Sequence, residues 1–559
     1  MELSGLVVGT YLVILLALAF YGFHRSSLVY LYYRNRHKHP RAAGTFSDLP
    51  AVTVQLPLFN EMYVVERLLE AVAEIRHPRD RFQVQVLDDS TDETQEICRR
   101  KIADLRARHP DLDIEYVHRV DRSGFKAGAL ENGLRTAKGE FILIFDADFL
   151  PQADVLERSI HHFLDPRVAV VQCRWDHLNR DFSPLTEVQA LMLDGHFMME
   201  HAGRNRSGRF FNFNGTAGIW RRAAIADAGG WQHDTLTEDM DLSYRAQLRG
   251  WRFVYLPEIA APAELPVEMS AFKSQQFRWA KGSVQVAKKL LPTILRSNAT
   301  WAQKSEAFFH LTNNLAYPLL LVLSILLLPN LALRPHHGWR EVLTIDLPLF
   351  FGTTLSIASF YLASQREIAL LRPLGTRARS QWLVVRRLPL VMSIGIGLCV
   401  NQTRAVMEAL FGRETEFVRT PKHGIRGRLE TWSSKKYRSA KSITPFIELV
   451  MAGYFAVAMA VAADHGHYLS MPFLALFLSG FGYVGWVSLW QGGVGVAARR
   501  FLARLPLSAR ARRASVPVVP PPAFPVLGAA RLGDGVGRAT ERGLLITPSS
   551  ASGAPTALS

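Results

Sequence analysis

The chain carries its apolar residues in three different patterns. From Gly5 to Phe23 they run without a charge until His24 and Arg25, which is the length of a membrane span. A signal peptide would need a small-residue cleavage site next; Tyr30-Leu-Tyr-Tyr-Arg-Asn-Arg-His-Lys38 follows instead, so the run reads as a retained span. From about Leu49 to Leu291 the apolar runs are short and alternate in period. Ala51–Pro57, Phe82–Leu87, Ile114–Val117, Phe141–Phe145 and Val168–Gln172 read as strands. Glu61–Ile75 and Lys126–Ala137 read as helices, and Ser90-Thr-Asp-Glu93 has the form of a capping box opening a third through Ile97 and Leu105. Strands alternating with helices predict an α/β, doubly wound, largely parallel sheet. After Trp301 long apolar runs return: Leu315–Leu333, Leu347–Ala363, Phe446–Ala463 and Met471–Trp490 are of spanning length.

Charge placement orients these segments. Basic residues just after the first run put that end in the cytoplasm. The run Leu388–Val400 is short and flanked on both sides by basic stretches, Arg377–Arg387 and Arg413–Lys441. A full crossing would place one of them outside, so an interfacial or re-entrant element is expected, giving five spans plus this element. The implied organisation is a span and linker over residues 1–45, an α/β domain over 46–300, a membrane region over 301–492 and a basic tail over 493–559. That tail, rich in Arg, Ala and Pro, has too little periodicity for a packed core and reads as a disordered cytoplasmic segment able to touch anionic lipid.

The formal net charge of +16 raises nucleic acid as a partner, but Lys and Arg gather at the ends of apolar segments and in the tail, and no zinc-finger or RNA-recognition signature accompanies them. Nucleic acid is therefore not expected, and membrane lipid is. Cys98, Cys173 and Cys399 are too few and too scattered for a disulfide framework or a zinc site.

The chemistry centres on Glu140-Phe-Ile-Leu-Ile-Phe-Asp-Ala-Asp-Phe-Leu-Pro151. Strand alternation sends Asp146 and Asp148 to one side, where they repel unless a cation lies between them. A hard divalent ion carrying substrate phosphates fits, although a strand end whose acids merely face water reads equally well from this stretch alone. Pro57, Asp88 and Asp146 all stand at the carboxyl ends of predicted strands, where ligands of such sheets bind. No Gly-x-Gly-x-x-Gly and no phosphate-loop Gly-Lys-Ser/Thr pattern is present. Arg122-Ser-Gly-Phe-Lys-Ala-Gly128 offers phosphate a close backbone and Lys126 at a helix start. Asp239, in Thr237-Glu-Asp-Met-Asp241, is either a dipole-favoured helix-start charge or a general base. Gln275, Arg278 and Trp279 share one helical face. An Arg can clamp a diphosphate and a Trp can stack on a sugar ring; the competing reading is an amphipathic helix lying on the membrane.

Asp88-Asp89, Asp146-Ala-Asp148, Thr237-Glu-Asp239 and Gln275-Gln-Phe-Arg-Trp279, in that order, resemble the processive, membrane-embedded branch of glycosyltransferase family 2, and within it the cellulose-synthase-like mannan and glucan synthases. Phe417-Val-Arg-Thr-Pro-Lys422 is similar to that family's gating loop, with Arg419 and Pro421 departing from it. The resemblance implies a GT-A-type domain between membrane helices. It implies that Phe59 and Glu61 flank the nucleotide base, that Asp88 or Asp89 reads it, and that Lys126 contacts the diphosphate. Asp146 and Asp148 then hold a divalent cation, Mg2+ or Mn2+. Asn214, Gly215, Thr216 and Glu238 line the acceptor side, and Asp239 deprotonates the acceptor hydroxyl. Gln275, Arg278 and Trp279 take the leaving diphosphate and the chain end, and Phe417, Thr420 and Lys422 close over the nucleotide.

The implied donor is a nucleotide-diphosphate sugar of the UDP-glucose or GDP-mannose type, and the acceptor a β-linked polysaccharide, with export across the membrane. A single transfer to a lipid acceptor is the alternative, and an accessory subunit is left open. Inverting displacement needs one base, one metal and one cationic clamp, and no covalent intermediate. A glycosidase would need a proton donor for a sugar leaving group and would leave the carboxylate pair without a purpose.

Overall fold

The structure, a computed structural model, describes residues 2–333, 347–371, 377–414, 417–427, 430–432, 435–437 and 442–494. The tail expected to be disordered lies, from residue 495, outside the described residues. Seven strands form one sheet: β1 (Val52–Leu58), β2 (Phe82–Asp88), β3 (Asp113–His118), β4 (Phe141–Ile144), β5 (Val168–His177), β6 (Gly218–Arg221) and β7 (Arg252–Ala263), in the order 3-2-1-4-6-5-7. Every neighbouring pair is parallel except those of β6, which runs antiparallel to both β4 and β5. The five expected strands are all present. β6 and β7 are additions: β6 is only four residues long, and β7 contains Pro257 and Pro262, which argue against a strand when read in sequence. The register between β5 and β7 slips between Cys173 and Arg174, which accommodates the first proline.

Helices α1 (Glu2–Asn35), α2 (Val65–Ala73), α3 (Thr94–Arg108), α4 (Phe125–Leu134), α5 (Val155–Ser159), α6 (Pro184–Gly195), α7 (Ala202–Arg206), α8 (Arg222–Asp227), α9 (Glu238–Leu248) and α10 (Met269–Arg296) accompany the sheet. The capping box expected at Ser90–Glu93 does not form. α3 starts at Thr94, whose N–H donates to Asp92 Oδ1 at 3.0 Å, while Ser90 Oγ accepts from the Asn60 N–H at 2.7 Å. Ser90 thus ties the loop after β2 to the loop after β1.

The alternation in β1 and β2 splits two environments, and both are buried. Val54, Leu56, Val84 and Val86 pack with Leu68 of α2 and Cys98 of α3. On the other face Thr53 donates to Gln83 at 2.8 Å, Gln55 donates to Gln85 at 3.0 Å, and Gln85 donates to Thr136 at 2.8 Å. This pairing lets fully buried amides sit beneath α4 without an unsatisfied donor. Gly139 is required where the chain enters β4, because a Cβ there would lie 2.3 Å from the Thr53 nitrogen.

Beyond α10 come α11 (Trp301–Thr312), α12 (Ala316–Leu333), α13 (Leu347–Leu370), α14 (Arg377–Gly397), α15 (Cys399–Leu410), α16 (Thr444–Asp464) and α17 (Met471–Leu489). Among the described residues four helical stretches are long and apolar enough to cross a membrane: Gly5–Asn35, Trp301–Ala332, Thr444–Asp464 and Tyr468–Gly492. The expected span Leu347–Ala363 is the body of the 24-residue α13, which is not among these four. The segment expected as an interfacial element, Leu388–Val400, is the end of α14, which breaks at Leu398 and continues into α15 at an angle of 41°.

The membrane helices and the sheet share a core. Ile142, Val170, Phe197 and Trp220 belong to one apolar cluster with Phe360 and Tyr361 of α13 and Val484 of α17. Asp194 of α6 fastens the same junction: it accepts from His177 at 3.1 Å, from Gln365 of α13 at 2.6 Å, and from Arg180. Asp194 is 1% exposed. Asp194→Asn should leave Arg180 without its counter-charge and destabilise the chain by about 3–5 kcal/mol. Thermal unfolding of the detergent-solubilised protein reads this, and a midpoint equal to the parent's would refute the anchoring role.

Candidate active site

β4 ends at Ile144, and the two carboxylates follow it in a turn, with Phe149 N–H donating to Asp146 O at 3.1 Å. Simple strand alternation therefore does not set their direction, yet both face one cavity of about 220 Å³. Asp146 is held from behind, its N–H donating to Thr216 Oγ1 at 2.8 Å. Each carboxylate meets a lysine: Lys126 Nζ lies 2.5 Å from Asp146 Oδ1 and Lys422 Nζ lies 2.5 Å from Asp148 Oδ2. Lys126 also donates to Gly215 O at 2.8 Å, and Lys422 to Glu264 O at 2.8 Å. Burial opposes the charge on Lys126, but Asp146 and Glu238 raise its pKa above the ordinary lysine value.

Asp239 stands in the first turn of α9, with its carboxylate against Gly215. Gly215 has φ +77°, and a Cβ there would come within 3.2 Å of Asp239 Oδ2 and 3.5 Å of Lys126 Nζ, so the loop needs glycine for both conformation and space. Burial, and then the Glu238 charge, push Asp239 up to about 7 against the pull of Lys126. Burial likewise raises Glu238. A carboxyl group poised near neutrality in a cleft is the condition for general-base chemistry.

Asp239 also opens onto a second cavity of about 270 Å³. Asn214, Gln275, Trp175 and Trp279 line both spaces, and the far wall of the second comes from membrane helices through Arg25, Tyr317, Phe360 and Tyr361. Trp175 and Trp279 hold their ring centroids 6.5 Å apart. A π-helical segment, His196–His201, extends α6 and aims His196 and Glu200 into this space. His196 Nδ1 meets Glu200 at 2.9 Å, and its Nε2 accepts from the Asn214 amide at 3.1 Å.

The loop over residues 417–427 covers the first cavity. Arg278 of α10 donates to Thr420 Oγ1 at 2.9 Å and lies 4.6 Å over the Phe417 ring. Burial lowers the Arg278 pKa, with Glu238 the largest opposing charge. Arg419, the departure from the gating pattern, pairs with Glu61 at 3.0 Å and lies 4.0 Å over the Tyr437 ring. Burial pushes Glu61 up to about 8 against the Arg419 charge.

Of the residues expected in the site, Phe59, Glu61, Asp89, Lys126, Asp146, Asp148, Asn214, Gly215, Glu238, Asp239, Gln275, Arg278, Trp279, Phe417, Thr420 and Lys422 line the first cavity. Two stand behind its wall. Asp88 is fully buried, accepting from Tyr116 OH at 2.7 Å and from the Ser90 N–H at 2.9 Å. Thr216 is also fully buried and reaches the site only through the Asp146 backbone. Asp89 is itself engaged by Arg119 at 2.8 and 2.6 Å.

Sequence reasoning named the loops of Arg122, 3.3 Å over the Phe59 ring, and of Arg419 without giving either side chain a role, and it missed Trp175 and His196. Trp175 lies three residues past the expected strand Val168–Gln172, on the part of β5 that runs on to His177. His196 was not findable, since only the π segment turns it inward. Among the described residues, two of the three non-glycine residues with positive φ border the first cavity: Asn60 stands between Phe59 and Glu61, and Phe125 lines the space itself. Such backbone strain clusters where a site demands it.

Residues 50–282 match the family described as Glycosyltransferase like family 2. Glucomannan 4-beta-mannosyltransferase 2 of Arabidopsis thaliana is 34% identical over 464 residues, covering 78% of this chain and 82% of that protein. Glucomannan 4-beta-mannosyltransferase 1 of Oryza sativa subsp. japonica is 34% identical over 461 residues, covering 78% and 84%. A mannosyltransferase of Pyrobaculum calidifontis, solved in complex with GDP-Man and Mn2+, superposes with a TM-score of 0.47 at 22% identity, over 72% of this chain and 99% of that one. The chain belongs to glycosyltransferase family 2, in the cellulose-synthase-like branch that holds the glucomannan 4-β-mannosyltransferases.

Proposed function

We propose that this membrane glycosyltransferase adds mannosyl units from GDP-mannose to the end of a β-1,4-linked mannan or glucomannan chain, with inversion at the anomeric carbon. The observation that carries the reading is the position of Asp239, where the cavity bearing Asp146 and Asp148 meets an aromatic-walled cavity that reaches the membrane helices. Asp239 takes the proton of the acceptor hydroxyl. Lys126 and Arg278 offset charge on the leaving diphosphate. Trp279 and Trp175 offer apolar faces to sugar rings.

Asp146 and Asp148 are the residues that would hold a divalent cation. They fit one as an all-oxygen pair directed at a single cavity, each already meeting a cation in Lys126 and Lys422. Among the described residues no third His, Cys, Asp or Glu joins them, so substrate phosphates and water would complete the shell. When bound, the ion would neutralise the diphosphate. Phe59, Glu61 and Asp89 flank the base, Asn214 and Gly215 face the acceptor, and Phe417, Thr420 and Lys422 cover the donor. Asp88 and Thr216 support these groups from behind the cavity wall. The basic stretch after the first span supports a catalytic domain on the cytoplasmic side.

The test offers membrane vesicles carrying the protein GDP-mannose and UDP-glucose in turn. Expected is a long product from GDP-mannose that an endo-β-1,4-mannanase cuts to small oligomers. A product that stays in the lipid extract as a single-sugar glycolipid, or no consumption of either donor, overturns the reading.

A further inference from the structure

A third cavity, of about 620 Å³, lies away from the catalytic cleft, where the last turn of α1 and the end of α13 meet the catalytic domain. Its cations are Arg36, Arg206 and Arg366, with His37 and His39 beside them. Arg206, in α7, is only 9% exposed. Its guanidinium lies 5.1 Å over the Tyr32 ring and donates to Arg36 O at 3.2 Å, with His39 Nδ1 at 3.3 Å. Among the described residues no carboxylate lies within ion-pair distance of any of the three arginines. Two acids line the same space. Glu367 accepts from Tyr32 OH at 2.7 Å, and Glu258 faces the opening. The space still has a cationic excess: burial, and next the Arg206 charge, hold His39 below its ordinary pKa.

A buried guanidinium without a counter-ion is costly, and a cavity at its side is where an anion offsets that cost. The position narrows the anion. Exposed Leu16, Phe20 and Phe23 mark the part of α1 open to lipid, and Tyr30, 59% exposed and hydrogen-bonded to Arg34 at 2.9 Å, follows as an interfacial residue would. Arg36 comes one turn and a half later. The cavity also has an apolar side, where Leu370 and Leu371 stand 49% and 43% exposed next to Met198. A free phosphate has no use for such a wall, whereas a glycerol backbone and the first acyl methylenes do.

We propose that this cavity is a site for the phosphate headgroup of an anionic membrane lipid, gripped by Arg36, Arg206 and Arg366 at the seam between the first membrane helix and the catalytic domain. The proposal rests on the membrane placement of α1 and is independent of the sugar transferred. A lipid bound there would brace the seam.

The test titrates the full detergent-solubilised chain with phosphatidylglycerol, with phosphatidylcholine and with inorganic phosphate, and counts retained molecules by native mass spectrometry. One phosphatidylglycerol should be retained in preference to phosphatidylcholine. The paired change Arg36→Gln and Arg366→Gln, at exposed positions that spare the fold, should weaken it roughly thirtyfold, from about 1 kcal/mol per cation near an anionic lipid. Equal retention by parent and variant overturns the proposal, as does equal retention of the two lipids. Occupation by millimolar inorganic phosphate that excludes phosphatidylglycerol also overturns it, and marks a soluble-anion site.

Discussion

Asp239→Asn should lower the transfer rate by about 10²–10⁴-fold while changing affinity for the nucleoside diphosphate less than about twofold. Asparagine has nearly the same shape, so the close approach to Gly215 and Lys126 survives, and only the capacity to accept a proton is removed. The pH dependence separates this from a structural defect. Burial and Glu238 raise the Asp239 carboxyl to about 7, well above the ordinary aspartate value. A base works only when deprotonated, so kcat/KM for the acceptor should climb tenfold per pH unit below about 7 and level off above it. The residual rate of the variant should lack that limb. A parent profile flat between pH 5 and 8, or a variant elongating at close to the parent rate, removes Asp239 from the base role.

How far this site could be read in advance depended on whether the residues were local or assembled. Asp146, Asp148 and Asp239 lie in short segments whose strand or helix start is visible in apolar spacing, and the cavity gathers all three. Asp88 shows the limit. It stands at a strand end as expected, but its neighbour Asp89 takes the cavity side, because half-buried Tyr116 on β3 donates its hydroxyl to Asp88. One residue of register decides this, and periodicity does not resolve it. β7 escaped because its prolines suppress the strand signal although a register slip accommodates one of them. Trp220 is fully buried on a four-residue strand that runs against its neighbours, too short a run for apolar spacing to mark it. The shared core of sheet and membrane helices could not be foreseen at all, since apolar spans in sequence show only that they avoid water.

Asp148→Ala should abolish the dependence of donor binding on divalent cation. In the parent, GDP should bind about a hundredfold more tightly with Mn2+ than after chelation, a difference of about 2.7 kcal/mol. The variant should bind GDP equally under both conditions, near the chelated parent's affinity. Asp148 has two rival partners, since Lys422 Nζ already sits 2.5 Å from its Oδ2 and reaches Glu264 O as well. Lys422→Met therefore separates the partners. With the resident ammonium gone, Asp148 loses its counter-charge, and Mn2+ without nucleotide should bind more tightly than to the parent. Transfer should nevertheless fall, because the methionine leaves one cation fewer beside the diphosphate and frees the cover formed by Phe417 and Thr420 over Arg278. Calorimetric titration of Mn2+ and of GDP into parent and both variants reads all of this. Parent affinity for GDP that is the same with and without metal would remove the divalent ion from donor binding, and would leave the two lysines as the site's own counter-ions.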